Sequence, residues 1–319
     1  MATYIITGCG GFVAQHYLNI LARSHRKTVV AGIGRRPPNV IPTNVKFQFH
    51  PIDLTNVREI NEIVKLYRST YVIHLAGMSS VAKSWTSPAE NFAHNVGATA
   101  NLLEAVRQYS PDTRILSIGS SEQYGRKQVT DLPLTEETSL DPTSPYAIAR
   151  CAQEQLAKLY VESHHMNIVM TRSFNHIGPN QRPNFLIPSL VQMFARSVSL
   201  SKKIARVEAG DLSLVRDFVD VRDVVAAYQE ILLNAESGEI FNVCSGNGVR
   251  LRSLVEWLEE ISGIEATVCV KPELLRPMEN PEIVGSCNKL ERVLGWKPTI
   301  HWKDSLREVF EMAISESSL

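Results

Sequence analysis

Short apolar runs recur along the first half of the chain, each separated from the next by an amphipathic stretch of helix length. Tyr4-Ile5-Ile6, Thr28-Val29-Val30-Ala31, Val45-Lys46-Phe47-Gln48-Phe49, Tyr71-Val72-Ile73-His74-Leu75, Arg114-Ile115-Leu116-Ser117-Ile118 and Asn167-Ile168-Val169-Met170-Thr171 read as strands. Residues 12–22, 57–67, 90–109 and 146–164 read as helices between them. Nearly continuous apolar strands alternating with helices predict an α/β fold, a doubly wound parallel sheet buried on both faces. The rhythm changes after Asn175, where Pro179, Pro183 and Pro188 cluster and a polar stretch fills 197–203. One more helix-strand unit, 221–233 followed by Ile240-Phe241-Asn242-Val243, is expected to return to the first sheet. The predicted division is a larger domain of residues 1–175 joined by 218–244, and a smaller C-terminal one of 176–217 and 245–319. No repeat or low-complexity linker separates them, so they should pack closely.

With 319 residues, 44% of them hydrophobic, the chain can bury a sizeable core. Its 33 basic and 33 acidic side chains cancel without long runs of one sign, which argues against nucleic acid or an anionic membrane as partner. No apolar stretch approaches the ~20 residues of a membrane span, and the first residues lack the basic and apolar regions of a signal peptide. A cytoplasmic protein is expected. Cys9, Cys151, Cys244, Cys269 and Cys287 are scattered, with no CxxC pair or nearby His, so they read as reduced packing residues and no metal site is expected.

Thr7-Gly8-Cys9-Gly10-Gly11-Phe12-Val13-Ala14 lies where the first strand meets the first helix. Glycines there let backbone N–H groups and the positive helix end approach a pyrophosphate, although an ordinary tight turn has a similar look. The position after the first strand favours the dinucleotide reading, a Rossmann-type fingerprint on Gly8, Gly10, Gly11, Phe12 and Val13. The second strand ends in Gly32-Ile33-Gly34-Arg35-Arg36, with two guanidiniums where an NAD enzyme places a carboxylate. Arg35 and Arg36 suit a 2′-phosphate, hence NADP(H) over NAD(H); the plainer alternative is a pair of solvated loop charges. Asp53 and Leu54 contact the adenine, or Asp53 caps the next helix.

Ser117-Ile118-Gly119-Ser120-Ser121-Glu122 ends the fifth run, and Ser144-Pro145-Tyr146-Ala147-Ile148-Ala149-Arg150 opens a helix. The i,i+4 spacing puts Tyr146 and Arg150 on one helical face, where a cation favours the phenolate needed for proton transfer. With the glycine turn, this set resembles the extended short-chain dehydrogenase/reductase family. The resemblance implies that Ser120 orients the substrate oxygen, that Tyr146 is acid/base, and that Arg150 stands where the family has the lysine of YxxxK. Arginine keeps the charge but changes the geometry of its donors, which predicts a working enzyme that Arg150→Lys would equal or exceed. His74-Leu75-Ala76-Gly77 matches the family segment lining the cofactor channel, assigning Leu75, Ala76 and Gly77 to the cofactor together with Tyr146 and Arg150.

Phe174-Asn175-His176-Ile177-Gly178-Pro179, Arg216-Asp217-Phe218-Val219-Asp220-Val221-Arg222-Asp223, Asn242-Val243-Cys244-Ser245-Gly246 and Leu275-Arg276-Pro277-Met278-Glu279 are similar to segments of the family's GDP-sugar enzymes. The nearest likeness is to its GDP-4-keto-6-deoxy-mannose reductases, then to its GDP-mannose 4,6-dehydratases. That implies Arg216 and Arg276 on the diphosphate or ribose, Glu279 on a ribose hydroxyl and Asn175 on the sugar or diphosphate; Arg216-Asp217 also reads as an internal ion pair. Ser79, Ser80 and Lys83, after the fourth strand, are assigned to the sugar, whereas His176 reads as structural. Glu122 has a counterpart in both branches and is assigned to catalysis and substrate. The expected reaction is NADPH-dependent 4-keto reduction of a GDP-sugar; a dehydrating lyase and a dinucleotide-binding protein that has lost catalysis are the alternatives. Family members also dimerise through two long helices, here 90–109 and 146–164, so a homodimer is expected.

Overall fold

The computed structural model describes residues 2–23, 27–275 and 278–317. β1 (Ala2–Thr7), β2 (Thr28–Ile33), β3 (Val45–His50), β4 (Tyr71–His74), β5 (Arg114–Ser120), β6 (Ile168–Ser173) and β10 (Ile240–Val243) form one sheet, ordered β10-β6-β5-β4-β1-β2-β3. All its pairings are parallel. Successive residues of a strand point to opposite faces, and here both faces are covered. Ile6, Ile73, Leu116 and Val169 bury against Leu18 of the Phe12–Arg23 helix and Tyr228 of the Val221–Asn234 helix. Their neighbours Ile5, Val72, Ile115 and Ile168 bury against Ile60 of Val57–Tyr67, Leu102 of Ala98–Tyr109 and Ala157 of Pro145–His164. Each such aliphatic side chain contributes about 1.5–3 kcal/mol by leaving water, which is why the strands show no polar alternation. The chain leaves β1 for β2 and β3, then crosses back to β4. That reversal opens a crevice at the carboxyl ends of the strands.

The smaller part is built on β9 (Val215–Asp220), which pairs antiparallel with β11 (Gly248–Arg250) and parallel with β7 (Asn175–Ile177) and β13 (Glu282–Ile283). β8 (Ile204–Ala209) and β12 (Glu265–Val270) form a separate parallel pair. Its core joins Phe194 of the Leu186–Ser199 helix, Leu254 of Leu251–Ser262 and Phe310 of Trp302–Ser317.

Two boundaries differ from expectation. Residues 218–220 belong to β9 of the small sheet; the return to the large one starts at Val221, after Asp220 caps the helix by accepting the Arg222 N–H at 2.8 Å. Leu290 and Trp296, expected in the smaller domain, lie in the large-sheet core, where the Trp296 indole donates to the Asp223 carbonyl at 3.1 Å. The predicted helix 90–109 begins at Pro88 and is interrupted by a π turn, Ala93–Gly97.

Candidate active site

The crevice is a cleft of about 1200 Å³, beyond the about 300–1000 Å³ typical of single small-molecule sites. Gly8, Gly10, Gly11, Phe12 and Val13 form one wall. Gly8 sits at φ +68°, and a Cβ on Gly10 would stand 2.4 Å from the Arg36 carbonyl oxygen. Only glycine fits this turn, and its bareness leaves the N-terminus of the Phe12–Arg23 helix open to an anion. A dinucleotide pyrophosphate fits such a cradle.

Arg35 and Arg36 lie exposed on the cleft lip beyond β2, as does Arg182 from the segment after β7. Burial first, then the fields of Arg36 and Arg35, pull the Arg182 guanidinium below its ordinary range. Cations held together this way are relieved by an anion. Asp53 and Leu54 line the adjoining wall. Asp53 does not cap the following helix, since Asn56 does. Its carboxylate accepts the Thr55 N–H at 2.9 Å and stays below the usual carboxylate range through that bond, the Thr55 hydroxyl and the charges of His94 and Arg35, against some desolvation.

Leu75, Ala76 and Gly77 line the floor, held by a chain of buried hydrogen bonds. Thr99 Oγ1 donates to the Asn95 carbonyl at 2.6 Å, so it accepts from His74 Nε2 at 2.9 Å. His74 Nδ1 then accepts from Thr7 Oγ1 at 2.9 Å, while Thr7 accepts the Ala76 N–H at 3.0 Å. Burial, aided by the Arg150 charge, pushes the His74 imidazole down to about 3, so it is neutral. Asn95, in the π turn, clamps Met78 through its N–H at 2.9 Å and carbonyl at 3.2 Å.

Ser120 ends β5 and Tyr146 and Arg150 rise from the Pro145–His164 helix, whose first turn is set by Ser144 accepting the Ala147 N–H at 3.1 Å and by Pro145. All three, with Glu122, line the cleft. The Arg150 guanidinium lies 5.2 Å from the Tyr146 ring centroid. Ser120 Oγ accepts the Glu122 N–H at 3.3 Å, which leaves its proton to donate. The Ser120 N–H is fixed by Gln123 Oε1 at 2.8 Å, and Gln123 Nε2 by Glu154 at 2.7 Å. Burial opposes charge on Glu154, yet the bidentate Arg172, at 2.9 Å to each oxygen, holds it below the ordinary carboxylate range.

Ser79, Ser80, Asn175, Arg216 and Glu279 line the other half of the cleft. Ser80 also caps the Val81–Thr86 helix. Lys83 is the correction: it is not among the cleft-lining residues, and its ammonium pairs with Glu90 at 3.3 Å. The Arg216–Asp217 ion pair is absent. Arg216 pairs with Glu279 at 3.0 Å, while Asp217 accepts from Ser245, Gly246 and Gly285, and burial raises its carboxyl to about 6. Arg276 lies outside the described residues. His176, read as structural, lines the cleft with Ser173 and Tyr228. The Tyr228 hydroxyl lies 2.7 Å from Ser173 Oγ and 3.4 Å from His176 Nε2, His176 Nδ1 is buried without a partner among the described residues, and burial lowers this imidazole to about 4. Arg182 and His176 had no local signal, because their neighbours are remote in sequence.

Among the described residues, no three metal-ligating side chains gather and no helix is long and apolar enough to cross a membrane. Residues 5–309 match the GDP-mannose 4,6-dehydratase family. The chain belongs to that family. Consistent with membership, it is 33% identical to the GDP-6-deoxy-D-mannose reductase of Pseudomonas aeruginosa, over 95% of this chain and 94% of the relative. The structure of RMD from Pseudomonas aeruginosa complexed with NADPH superposes with a TM-score of 0.86 at 31% identity, covering 99% of this chain and 100% of that one. The Thermus thermophilus UDP-glucose 4-epimerase complex with NAD gives 0.84 at 27% identity, with 98% of each chain covered. Of these two solved structures of the same architecture, one holds NADPH and the other NAD.

Proposed function

We propose that this family member is an NADPH-dependent reductase of the C4 keto group of a GDP-4-keto-6-deoxy-hexose, converting GDP-4-keto-6-deoxy-D-mannose to GDP-D-rhamnose. The observation that carries the reading is one cleft that combines a glycine cradle, an arginine lip and the Ser120–Tyr146–Arg150 set. Gly8 to Val13 would hold the pyrophosphate of NADPH and Arg35, Arg36 and Arg182 its 2′-phosphate, and the bound cofactor would supply the hydride for C4. Tyr146 gives its hydroxyl proton to the C4 oxygen, and Ser120 donates a hydrogen bond that fixes that oxygen. Arg150 holds positive charge beside the phenol. Arg216, steadied by Glu279, binds the diphosphate, while Asn175, Ser79 and Ser80 bind the sugar and Glu279 a ribose hydroxyl.

Glu122, which lines the cleft, also fits a second reading, the 4,6-dehydratase reaction, in which it would serve as the base at C5. Parallel incubations, one with NADPH and GDP-4-keto-6-deoxy-D-mannose and one with GDP-mannose, separate the two. Stoichiometric NADPH loss supports reduction; GDP-mannose consumed without net cofactor change supports the lyase. Exposed Phe92, Ile148 and Leu159, on the helices expected to pair, support a homodimer with a four-helix contact. Use of NADPH and a nucleotide-sugar supports a cytoplasmic location.

A further inference from the structure

Arg150 is almost fully buried, at 6% exposure, and its orientation is set by two acceptors, one of them a helical turn away. Its Nη1 donates to Gln153 Oε1 at 2.6 Å and to the Ile118 carbonyl at 3.0 Å. Gln153 cannot turn: its Nε2 donates to Ser117 Oγ at 3.0 Å and to the same Ile118 carbonyl at 3.1 Å, so Oε1 must face the guanidinium. The side chain is 1% exposed. On the other edge, Nη2 lies so near Gly77 that a Cβ there would stand 2.9 Å away, and Nε is buried with no partner among the described residues. The fork is therefore tied at one nitrogen to the end of β5, and its untied edge lies against the Gly77 floor of the cleft.

We propose that Gln153 is a positioning residue that makes an arginine serviceable beside Tyr146. A guanidinium has a fixed, planar set of donors, whereas an ammonium rotates freely on its stem. Without Gln153, Nη1 keeps only the Ile118 carbonyl at 3.0 Å, a single acceptor about which the plane can turn, and both its stacking over the Tyr146 ring and its presentation to the cofactor are weakened. A lysine at position 150 has no fork to anchor, so Gln153 matters only while residue 150 is arginine. The proposal rests on the role given above to Tyr146 and Arg150.

The test is a double-mutant cycle of Gln153→Leu and Arg150→Lys, read both as the NADPH dissociation constant and as turnover of GDP-4-keto-6-deoxy-D-mannose, with melting temperature as the check on folding. Gln153→Leu in the native background is expected to weaken NADPH binding and lower turnover by about 10- to 100-fold in total, the size of one hydrogen bond to a charged group. In the Arg150→Lys background the same change should alter either by no more than about 2-fold, a non-additivity expected only of directly coupled groups. Equal losses in both backgrounds, or no loss in the native one, would overturn the proposal. Coupling in NADPH affinity in an enzyme that turns over no keto-sugar would leave the positioning intact and sink the reductase reading instead.

Discussion

In the proposed reaction Tyr146 and Ser120 act on the same oxygen in different ways, one as proton donor and one as hydrogen-bond donor. Removing the phenol oxygen should therefore affect the chemical step and spare cofactor binding. Tyr146→Phe is expected to lower turnover by about 10²–10⁴, the usual worth of a positioned general acid, with NADPH affinity unchanged in a fluorescence titration; a large loss of affinity would mean that the ring chiefly supports the cofactor. At the lip, Arg35→Ala and Arg36→Ala should each weaken NADPH by about 10- to 100-fold, as charge-assisted hydrogen bonds do, and leave NADH alone. An equal loss for both cofactors would remove the 2′-phosphate assignment. These residues were legible in the sequence because their chemistry is written locally, as a four-residue spacing on a helix or two adjacent arginines after a strand. Gln153 and Arg182 were not legible: each acquires its role from a partner, Ile118 for one and Arg36 for the other, that only the fold brings near.

At the scale of elements, the apolar runs of β1, β4, β5 and β6 were readable because burial on both faces leaves no polar alternation to confuse the pattern. The π turn Ala93–Gly97 was invisible, since no local residue demands it. Its reason is tertiary: the widened turn carries the Asn95 amide that clamps Met78 beside the cofactor floor. Asn95→Ala should leave two half-buried backbone groups of Met78 without their amide partner, at about 1 kcal/mol, seen as a lower denaturation midpoint together with weaker NADPH binding. Lower stability with unaltered NADPH affinity would confine the turn to a structural role. Lys83 shows the opposite failure, in which a residue next to a functional loop was drawn into an ion pair with Glu90 on the following short helix.

For the whole molecule, acid should be more damaging than the balanced charge suggests. His74 and His176 titrate at about 3 and about 4 when folded, against 6.5 as the ordinary value, because burial disfavours their charged forms. Below pH about 6.5 the unfolded chain takes up protons that the folded chain refuses, so stability falls on acidification until pH about 4, at about 1.4 kcal/mol per pH unit for each imidazole. Buried Asp217, raised from 3.8 to about 6, has the opposite sign and gains stability as pH falls through that interval, so it offsets one imidazole and not both. Urea midpoints should drop between pH 7 and pH 5, and a flat or rising profile would contradict this assignment of buried neutral histidines. The two-part architecture serves the same cleft, with the large sheet giving the cradle and the Ser120–Tyr146–Arg150 set while β7, β9 and the segment leading into β13 give Asn175, Arg216 and Glu279. The most direct measurement is the absorbance of NADPH on mixing purified enzyme with GDP-4-keto-6-deoxy-D-mannose. One NADPH consumed per GDP-6-deoxy-hexose formed, with NADH a poor substitute, is the predicted result; a stable NADPH signal beside an unchanged keto-sugar would contradict the account.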